Sequence, residues 1–358
     1  MLDNPFYSQE QHGPYNIYDL SDFDLEEGGA IPNCQIAYAS FGKLNAAKDN
    51  AIIFPHMFSG TSKHMEIYVG EGMALDPTKY FILLPNMIGA GLSSSPHNSH
   101  DPISMANFPN VTIGDDVRAQ YLLATQRFGI TAVQLVLGWS MGAQQTFEWA
   151  VRYPDLVKRA APIGGTAKGT AHNYILVENA MRQIRSDSAW QNGNYKEPNA
   201  AAEGLKNLAR FFSMIGLSKE FYAQEIWRDA GFNSLEEFET GFWEAWFSPM
   251  DPNALLASLR KWQHADVSKH TDGDLAAAMG RIKALVFNMP FEKDLMFTVD
   301  ECKLEHELTP YSELRPIPTL WGHFGMLGVA PEDKDFINGT LKELLSNSSL
   351  HMDTAING

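Results

Sequence analysis

The segment Val133–Pro154 reads VQLVLGWSMGAQQTFEWAVRYP and decides the fold that we expect. Four of its first five residues, Val133–Leu137, are apolar, which is typical of a buried strand. A Gly-x-Ser-x-Gly turn follows and leads into a helical stretch that ends at Tyr153. Between a strand and a helix this pattern predicts a nucleophile elbow, which lifts a serine hydroxyl above the sheet. Ser140 is therefore the candidate nucleophile, because glycines on both sides accommodate its strained backbone.

A serine nucleophile needs a general base, which follows it in the chain of proteins with such an elbow. His323 lies in WGHFGMLG, directly after a run, Glu313–Leu320, that we predict to be the last strand. His306 lies in a charged helical stretch and His351 in a polar tail, so both are less favoured. We therefore expect His323 to be the base.

The acid that orients the base should follow the preceding strand. Residues Ala284–Met289 read ALVFNM and are short and apolar, as a buried strand would be. In the loop that follows, Asp294 is the favoured acid and Glu292 is the alternative. A carboxylate here would hold the imidazole tautomer and stabilise the imidazolium that forms during catalysis.

An oxyanion hole needs two backbone N–H donors, each typically worth about 10²–10³ in rate. The residue after the nucleophile, Met141, supplies one donor. The second is expected at Phe58, in the early loop Pro55–Gly60. This loop has the layout of the His-Gly-x-x-Gly loops of esterases, with Met57 in place of the first glycine. We expect His56 to hold the loop by hydrogen bonds rather than to act as a second base.

Composition narrows the range of partners. The chain has 358 residues, 44% of them hydrophobic, and a net charge of −16 without a basic run. This charge disfavours nucleic acid and anionic membranes but leaves a CoA thioester possible. Cys34 and Cys302 have no metal or redox spacing, which is typical of a reducing compartment. The sequence has no signal peptide and no apolar run near 18 residues, so we expect a cytoplasmic protein. It has no motif for a metal or an organic cofactor, so we expect neither.

Strands and helices alternate along most of the chain, which predicts an α/β fold with a mostly parallel sheet and helices on both faces. A hairpin of Tyr18–Leu25 and Cys34–Ala39 precedes this pattern. The strands are expected at 50–54, 80–85, 133–137, 159–164, 284–289 and 313–320. Residues 166–278 have only helical patterns and carry five of the 8 tryptophans. We therefore predict a helical lid domain, 166–278, inserted in a core domain of residues 1–165 and 279–358.

Several segments resemble the homoserine O-acetyltransferase family of α/β-hydrolase-fold enzymes, and together they cover most of the chain. They are IAYASFGKLN, FPNVTIGDDVRAQ, GWSMGAQQTFEWAVRYPDLVKR, NAMRQIRSDSAWQNGNY, RIKALVF, DLMF and GHFGML. The resemblance implies the α/β-hydrolase fold, a triad of Ser140, His323 and Asp294, acyl transfer by double displacement, and a lid that often forms a homodimer. An arginine in the family's lid binds the substrate carboxylate, and Arg210 lies near the matching place.

Three departures from the family pattern concern the substrate. The loop Asn86–Pro96 is compact where members carry a longer Gly- and Thr-rich loop. Phe324 follows the histidine where members have an aspartate for the substrate ammonium, and Trp139 precedes the serine where a glycine is common. We therefore expect Phe324 and Met57 to line a pocket for an apolar or uncharged substrate.

These observations favour a serine hydrolase that cleaves an ester, thioester or amide through an acyl-Ser140 intermediate. The alternative is an O-acyltransferase that takes the acyl group from acyl-CoA, since only the second acceptor differs. We favour the hydrolase because the positions that recognise the acceptor alcohol are the ones that changed. A non-catalytic binding protein on this fold is least favoured. The sequence does not identify the substrate.

Overall fold

The computed structural model describes residues 1–198 and 200–347, so His351 and the polar tail lie outside the described residues. Eight strands form one sheet. The strands are β1 (Asn16–Asp24), β2 (Ala30–Phe41), β3 (Ala51–Ile53), β4 (Phe81–Pro85), β5 (Val133–Trp139), β6 (Arg159–Ile163), β7 (Leu285–Asn288) and β8 (Ser312–Leu314).

The spatial order of the strands is β1-β2-β4-β3-β5-β6-β7-β8. The pairs β1/β2 and β2/β4 are antiparallel, and all later pairs are parallel. The predicted hairpin and the mostly parallel sheet are thus confirmed. Parallel strands place their carboxyl ends at one edge of a sheet, which is where open α/β sheets bind ligands. The loops that follow β3, β5, β7 and β8 therefore meet at this edge.

Helices cover both faces of the sheet. The helices that precede residue 166 are α1 (Gln9–His12), α2 (Ser62–Met65), α3 (Ile113–Leu122) and α4 (Met141–Arg152). Those between β6 and β7 are α5 (Ala171–Arg185), α6 (Ala202–Ile215), α7 (Lys219–Ala223), α8 (Leu235–Phe238), α9 (Ala245–Phe247), α10 (Pro252–Gln263) and α11 (Leu275–Met279). The last two are α12 (Val299–Leu308) and α13 (Pro331–Ser346).

Shorter helical turns complete the chain. Two π-helical turns, Leu123–Arg127 and Glu239–Glu244, extend α3 and join α8 to α9. The 3₁₀ turns are Glu66–Tyr68, Met105–Asn107, Ser188–Gly193, Ile226–Arg228, Val267–Thr271 and Gly322–Leu327.

The central strands are buried on both faces, as a parallel sheet requires. In β3, Ala51 and Ile53 join a hydrophobic cluster that contains side chains of α3 and α4. Ile52 points the other way, into a cluster that contains side chains of α13. None of the helices within the described ranges is both long and apolar enough to cross a membrane.

The segment between β6 and β7, here termed the helical insertion, contains α5–α11 and has no strand among its described residues. Its buried aromatic side chains, among them Trp227, Trp243 and Trp262, form a hydrophobic core of their own. Phe58, from the loop after β3, and Met141, the first residue of α4, join this core at the carboxyl edge of the sheet. The insertion therefore packs directly on the edge where the predicted site residues lie.

The last strand is shorter than predicted. β8 ends at Leu314, because Pro316 and Pro318 have no N–H to donate to a β-ladder. β8 lies at one edge of the sheet, which is where prolines are tolerated in strands. A single bridge between Ile317 and Phe291 keeps the following chain beside the sheet. From there the chain continues to the turn that carries the candidate base.

Candidate active site

Ser140 lies in a sharp turn between β5 and α4. Its backbone has φ +59° and ψ −120°, a strained conformation for a residue with a side chain. Its N–H donates to the carbonyl of Ile163 at 2.9 Å. A Cβ on Gly138 would lie 2.2 Å from the Gly142 oxygen, and one on Gly142 would lie 2.7 Å from the Pro55 oxygen. The two glycines are therefore required by close backbone approaches, and the turn has the strand–turn–helix form that the pattern predicts.

The structure brings His323 and Asp294 into contact. The Nδ1 atom of His323 lies 2.7 Å from Oδ2 of Asp294, and both side chains are buried. The other carboxylate oxygen, Oδ1, accepts the N–H groups of Met296 (2.8 Å) and Phe297 (3.1 Å). These bonds fix the carboxylate, so that it can hold the imidazole in one orientation. The alternative acid, Glu292, is exposed.

The candidate base is also held from its other sides. The indole N–H of Trp139 donates to the carbonyl of His323 at 2.9 Å, so the tryptophan next to the nucleophile anchors the turn of the base. The ring of Phe297 stacks on the imidazole with centroids 5.6 Å apart. The N–H of His323 donates to the carbonyl of Gly216, in the helical insertion, at 3.0 Å. The insertion thus helps to position the base.

The loop after β3 carries the candidate oxyanion donor. Within the described residues, neither the N–H of Phe58 nor that of Met141 has a protein acceptor, so both can receive a ligand oxygen. His56 holds this loop, as expected: its Nδ1 lies 2.8 Å from the Met57 carbonyl, and its Nε2 accepts the N–H of Met87 at 3.0 Å. This pattern requires a neutral ring, and burial lowers the pKa of His56 to about 3.

Ser140 and His323 open on one cavity with no more than about 350 Å³ of atom-free space. The predicted pocket residues Met57 and Phe324 line it together with Phe58. The other lining residues are Ser59, Trp139, Phe212, Trp246, Phe247, Trp262 and Met296. Except for the imidazole, no ionisable side chain is found among these residues. The site can therefore hold a small uncharged molecule against a serine hydroxyl.

Arg210 lies away from this cavity. Its side chain is about half exposed and pairs with Glu244 at 2.8 Å. The buried stripe of α6 consists of Gly204, Leu205, Leu208, Ala209 and Phe212, which places Arg210 on the outer face of the helix. The structure therefore places Arg210 outside the cavity on which Ser140 and His323 open.

Six cavity residues are not predicted from the sequence: Ser59, Phe212, Trp246, Phe247, Trp262 and Met296. For the four aromatic residues, the aromatic content of residues 166–278 is the available signal, but it does not indicate which side chains face the cavity. No group of three or more metal-ligating side chains is found within the described ranges. Cys34 and Cys302 are buried, and burial raises the pKa of both thiols.

A family model described as "alpha/beta hydrolase fold" matches residues 50–246. The chain belongs to the α/β-hydrolase family. It is 48% identical over 345 residues to an ethyl acetate hydrolase of Pseudomonas veronii, covering 96% of this chain and 99% of that relative. The solved structure of an acetylester hydrolase from Corynebacterium glutamicum is also 48% identical, with a TM-score of 0.95, covering 97% and 100% of the two chains.

A homoserine O-acetyltransferase of Chlorobaculum parvum is 30% identical over 325 residues, covering 87% of this chain and 90% of the relative. The predicted resemblance to the homoserine O-acetyltransferase family is thus confirmed. The α/β-hydrolase fold and an enzyme with hydrolase activity are confirmed as well.

Proposed function

We propose that the protein is a serine esterase that hydrolyses short, uncharged esters through an acyl-Ser140 intermediate. One observation carries this proposal: the serine and the imidazole share a small cavity whose other lining side chains are uncharged. Such a cavity excludes most water, which strengthens the electrostatic interactions of the reacting groups.

The reaction follows from the placement of the groups. As the Ser140 oxygen attacks the ester carbonyl, His323 accepts the hydroxyl proton, and Asp294 stabilises the imidazolium. The N–H groups of Phe58 and Met141 stabilise the negative oxygen of the tetrahedral intermediate. The imidazolium then gives its proton to the leaving alcohol. A water molecule, deprotonated by the same imidazole, attacks the acyl-serine. The imidazolium then returns the proton to the Ser140 oxygen as the carboxylic acid is released.

The size of the cavity supports an acetyl or similarly short acyl group. The atom-free space in the cavity and at its mouth is at most about 350 Å³, so the enclosed part is smaller than most ligand pockets, which span roughly 300–1,000 Å³. The similarity to an ethyl acetate hydrolase of Pseudomonas veronii and an acetylester hydrolase of Corynebacterium glutamicum supports acetyl esters too. Longer acyl chains would have to displace the aromatic side chains of Phe212 or Phe247.

Acyl transfer from acyl-CoA to homoserine is the alternative, supported by the relative from Chlorobaculum parvum. An ammonium group buried without a counter-charge costs several kcal/mol before relaxation. At the position after the base, Phe324 offers only its ring face, worth about 0.5–2 kcal/mol for a cation. Water is therefore the favoured acceptor.

We further propose that residues 166–278 act as a lid domain on a core of residues 1–165 and 279–358. The aromatic side chains that the insertion contributes to the cavity support this division. The reduced cysteines support a cytoplasmic location.

Steady-state kinetics with p-nitrophenyl acetate, butyrate and octanoate tests the proposed function. We expect kcat/KM to be highest for acetate and to fall with acyl length. Ser140→Ala should lower kcat by a factor on the order of 10³–10⁶, with an unchanged melting temperature as the control for folding. A fluorophosphonate probe should label the wild type and not this variant.

Two results would contradict the proposal. One is full esterase activity of Ser140→Ala. The other is a kcat/KM of about 10⁴ M⁻¹s⁻¹ or more for L-homoserine with acetyl-CoA, which is in the ordinary range for a natural substrate.

A further inference from the structure

Two consecutive residues of the helical insertion contact two consecutive residues of the loop after β3. The indole N–H of Trp246 donates to the hydroxyl of Ser59 at 2.9 Å. The ring of Phe247 lies 6.2 Å from the ring of Phe58, centroid to centroid. α9 therefore contacts the segment whose N–H group is the proposed oxyanion donor.

The loop has a reason to need such support. Ser59 has φ +58°, in the left-handed region that residues with a Cβ rarely adopt. A strained conformation of this kind persists only where the surrounding structure holds it. Ser59 directly follows Phe58, so a change in the backbone of Ser59 would be passed to Phe58 through the peptide that joins them.

The contacting groups are themselves held in place. The imidazole of His64, on α2, packs against the indole of Trp246 with centroids 4.9 Å apart. Nδ1 of His64 accepts the N–H of Thr61 at 3.0 Å, which fixes that ring. On the other side, the ring of Phe58 stacks on Phe212 of α6 at 5.5 Å. The loop is thus embedded in the insertion on two sides.

We propose that Trp246 and Phe247 are positioning residues, which aim the N–H of Phe58 at the reacting carbonyl only when the insertion is seated on the core. This inference rests on the proposed function, in which that N–H stabilises the tetrahedral intermediate. The insertion then does more than cover the cavity, because the oxyanion hole is complete only while α9 contacts the loop after β3.

The test is Trp246→Phe, which removes the indole N–H and retains an aromatic ring. We expect kcat for p-nitrophenyl acetate to fall about tenfold or more while KM changes less than about twofold, since the lost interaction acts in the transition state. The affinity for a trifluoromethyl ketone, which forms a tetrahedral oxyanion on Ser140, should fall by the same factor as kcat/KM.

A double-mutant cycle tests the partner. Ser59→Ala should cause a similar loss, and the combination with Trp246→Phe should be no worse than either single variant. Ser59→Gly should retain more activity than Ser59→Ala, because glycine adopts a positive φ without strain. Trp190→Phe is the matched control, since the indole N–H of Trp190 also bonds a side-chain oxygen, Oδ1 of Asn253, at 2.9 Å.

The outcomes separate the two proposals. A wild type that hydrolyses none of the esters overturns the proposed function. An active wild type with equal activity in Trp246→Phe and Trp190→Phe overturns the positioning role alone. A rise in KM with unchanged affinity for the trifluoromethyl ketone also overturns it, because Trp246 would then only line the cavity.

Discussion

Two buried histidines, His323 and His56, lie in the loops that carry the proposed catalytic groups, and their hydrogen-bond partners separate their roles. Nδ1 of His323 contacts the carboxylate of Asp294, which can stabilise a positive ring. His56 instead lies between the Met57 carbonyl and the Met87 N–H, and this pair fits only a neutral ring. The residue type alone therefore does not distinguish the two rings, whereas the partner of each ring nitrogen favours His323 as the proposed base.

The neutral ring of His56 gives a prediction for stability against pH. Burial lowers its pKa from the ordinary 6.5 to about 3. Between these values the unfolded chain binds a proton that the folded protein does not, so stability falls as pH falls from 6.5 toward 3. Urea unfolding at pH 7 and pH 4 should show that His56→Gln loses about 2–4 kcal/mol less than the wild type over this interval. His172→Gln, at an exposed position, is the control, and equal losses in all three proteins would contradict the prediction.

At the scale of elements, a buried ion pair joins the helical insertion to the core. Nζ of Lys261, on α10, donates to Oδ2 of Asp116, on α3, at 2.6 Å, and both side chains are fully buried. The same Nζ donates to the Ile88 carbonyl at 2.8 Å, and the N–H of Ile88 donates to Oδ1 of Asp116 at 2.8 Å. Ile88 belongs to the compact loop Asn86–Pro96, so the pair connects two helices and this loop.

Replacement of Lys261 alone should lower the free energy of unfolding substantially. Lys261→Met leaves the carboxylate of Asp116 buried without its counter-charge, and we expect a loss of about 3–5 kcal/mol in the free energy of unfolding. Replacement of both partners, Lys261→Met with Asp116→Leu, should recover much of the lost free energy of unfolding. Lys63→Met, which breaks the more exposed pair with Glu66, should cost about 1 kcal/mol or less. Urea unfolding measures all three, and similar losses at the two lysines would contradict the prediction.

At the scale of the whole molecule, the family resemblance predicts a homodimer formed through the helical insertion. Apolar side chains on its outer surface support this, among them Ile175 of α5 and Met214 of α6, which are 59% and 66% exposed. Light scattering at micromolar concentration should give about twice the chain mass of 39.9 kDa. Ile175→Glu should shift the protein toward the monomer, whereas Ile17→Glu, on β1, should not. A wild-type monomer would contradict the dimer and leave the active site unaffected.

The fold and the core of the site follow from short segments of sequence. The elbow around Ser140 is predictable because its geometry depends on adjacent residues: an apolar strand, two glycines and a helix. The hairpin and the parallel sheet follow from local periodicity, and the order of Ser140, Asp294 and His323 follows from the order of the strands. The end of β8 could also be argued locally, from the missing N–H groups of Pro316 and Pro318.

Contacts between segments that are distant in the chain could not be predicted from the sequence and became visible only in the tertiary structure. Lys261 and Asp116 are 145 residues apart, and Trp246 and Ser59 are 187 apart, so no local pattern pairs them. The direction of the Arg210 side chain could not be predicted from the sequence either, because a shift of one residue along a helix turns a side chain by about 100°. The sequence by itself thus determined the nucleophile elbow, the mostly parallel sheet and the chain order of the candidate triad. The packing of α6, α9 and α10 against the core decided which side chains line the cavity, because the rotation of a helix about its axis is settled by what it packs against.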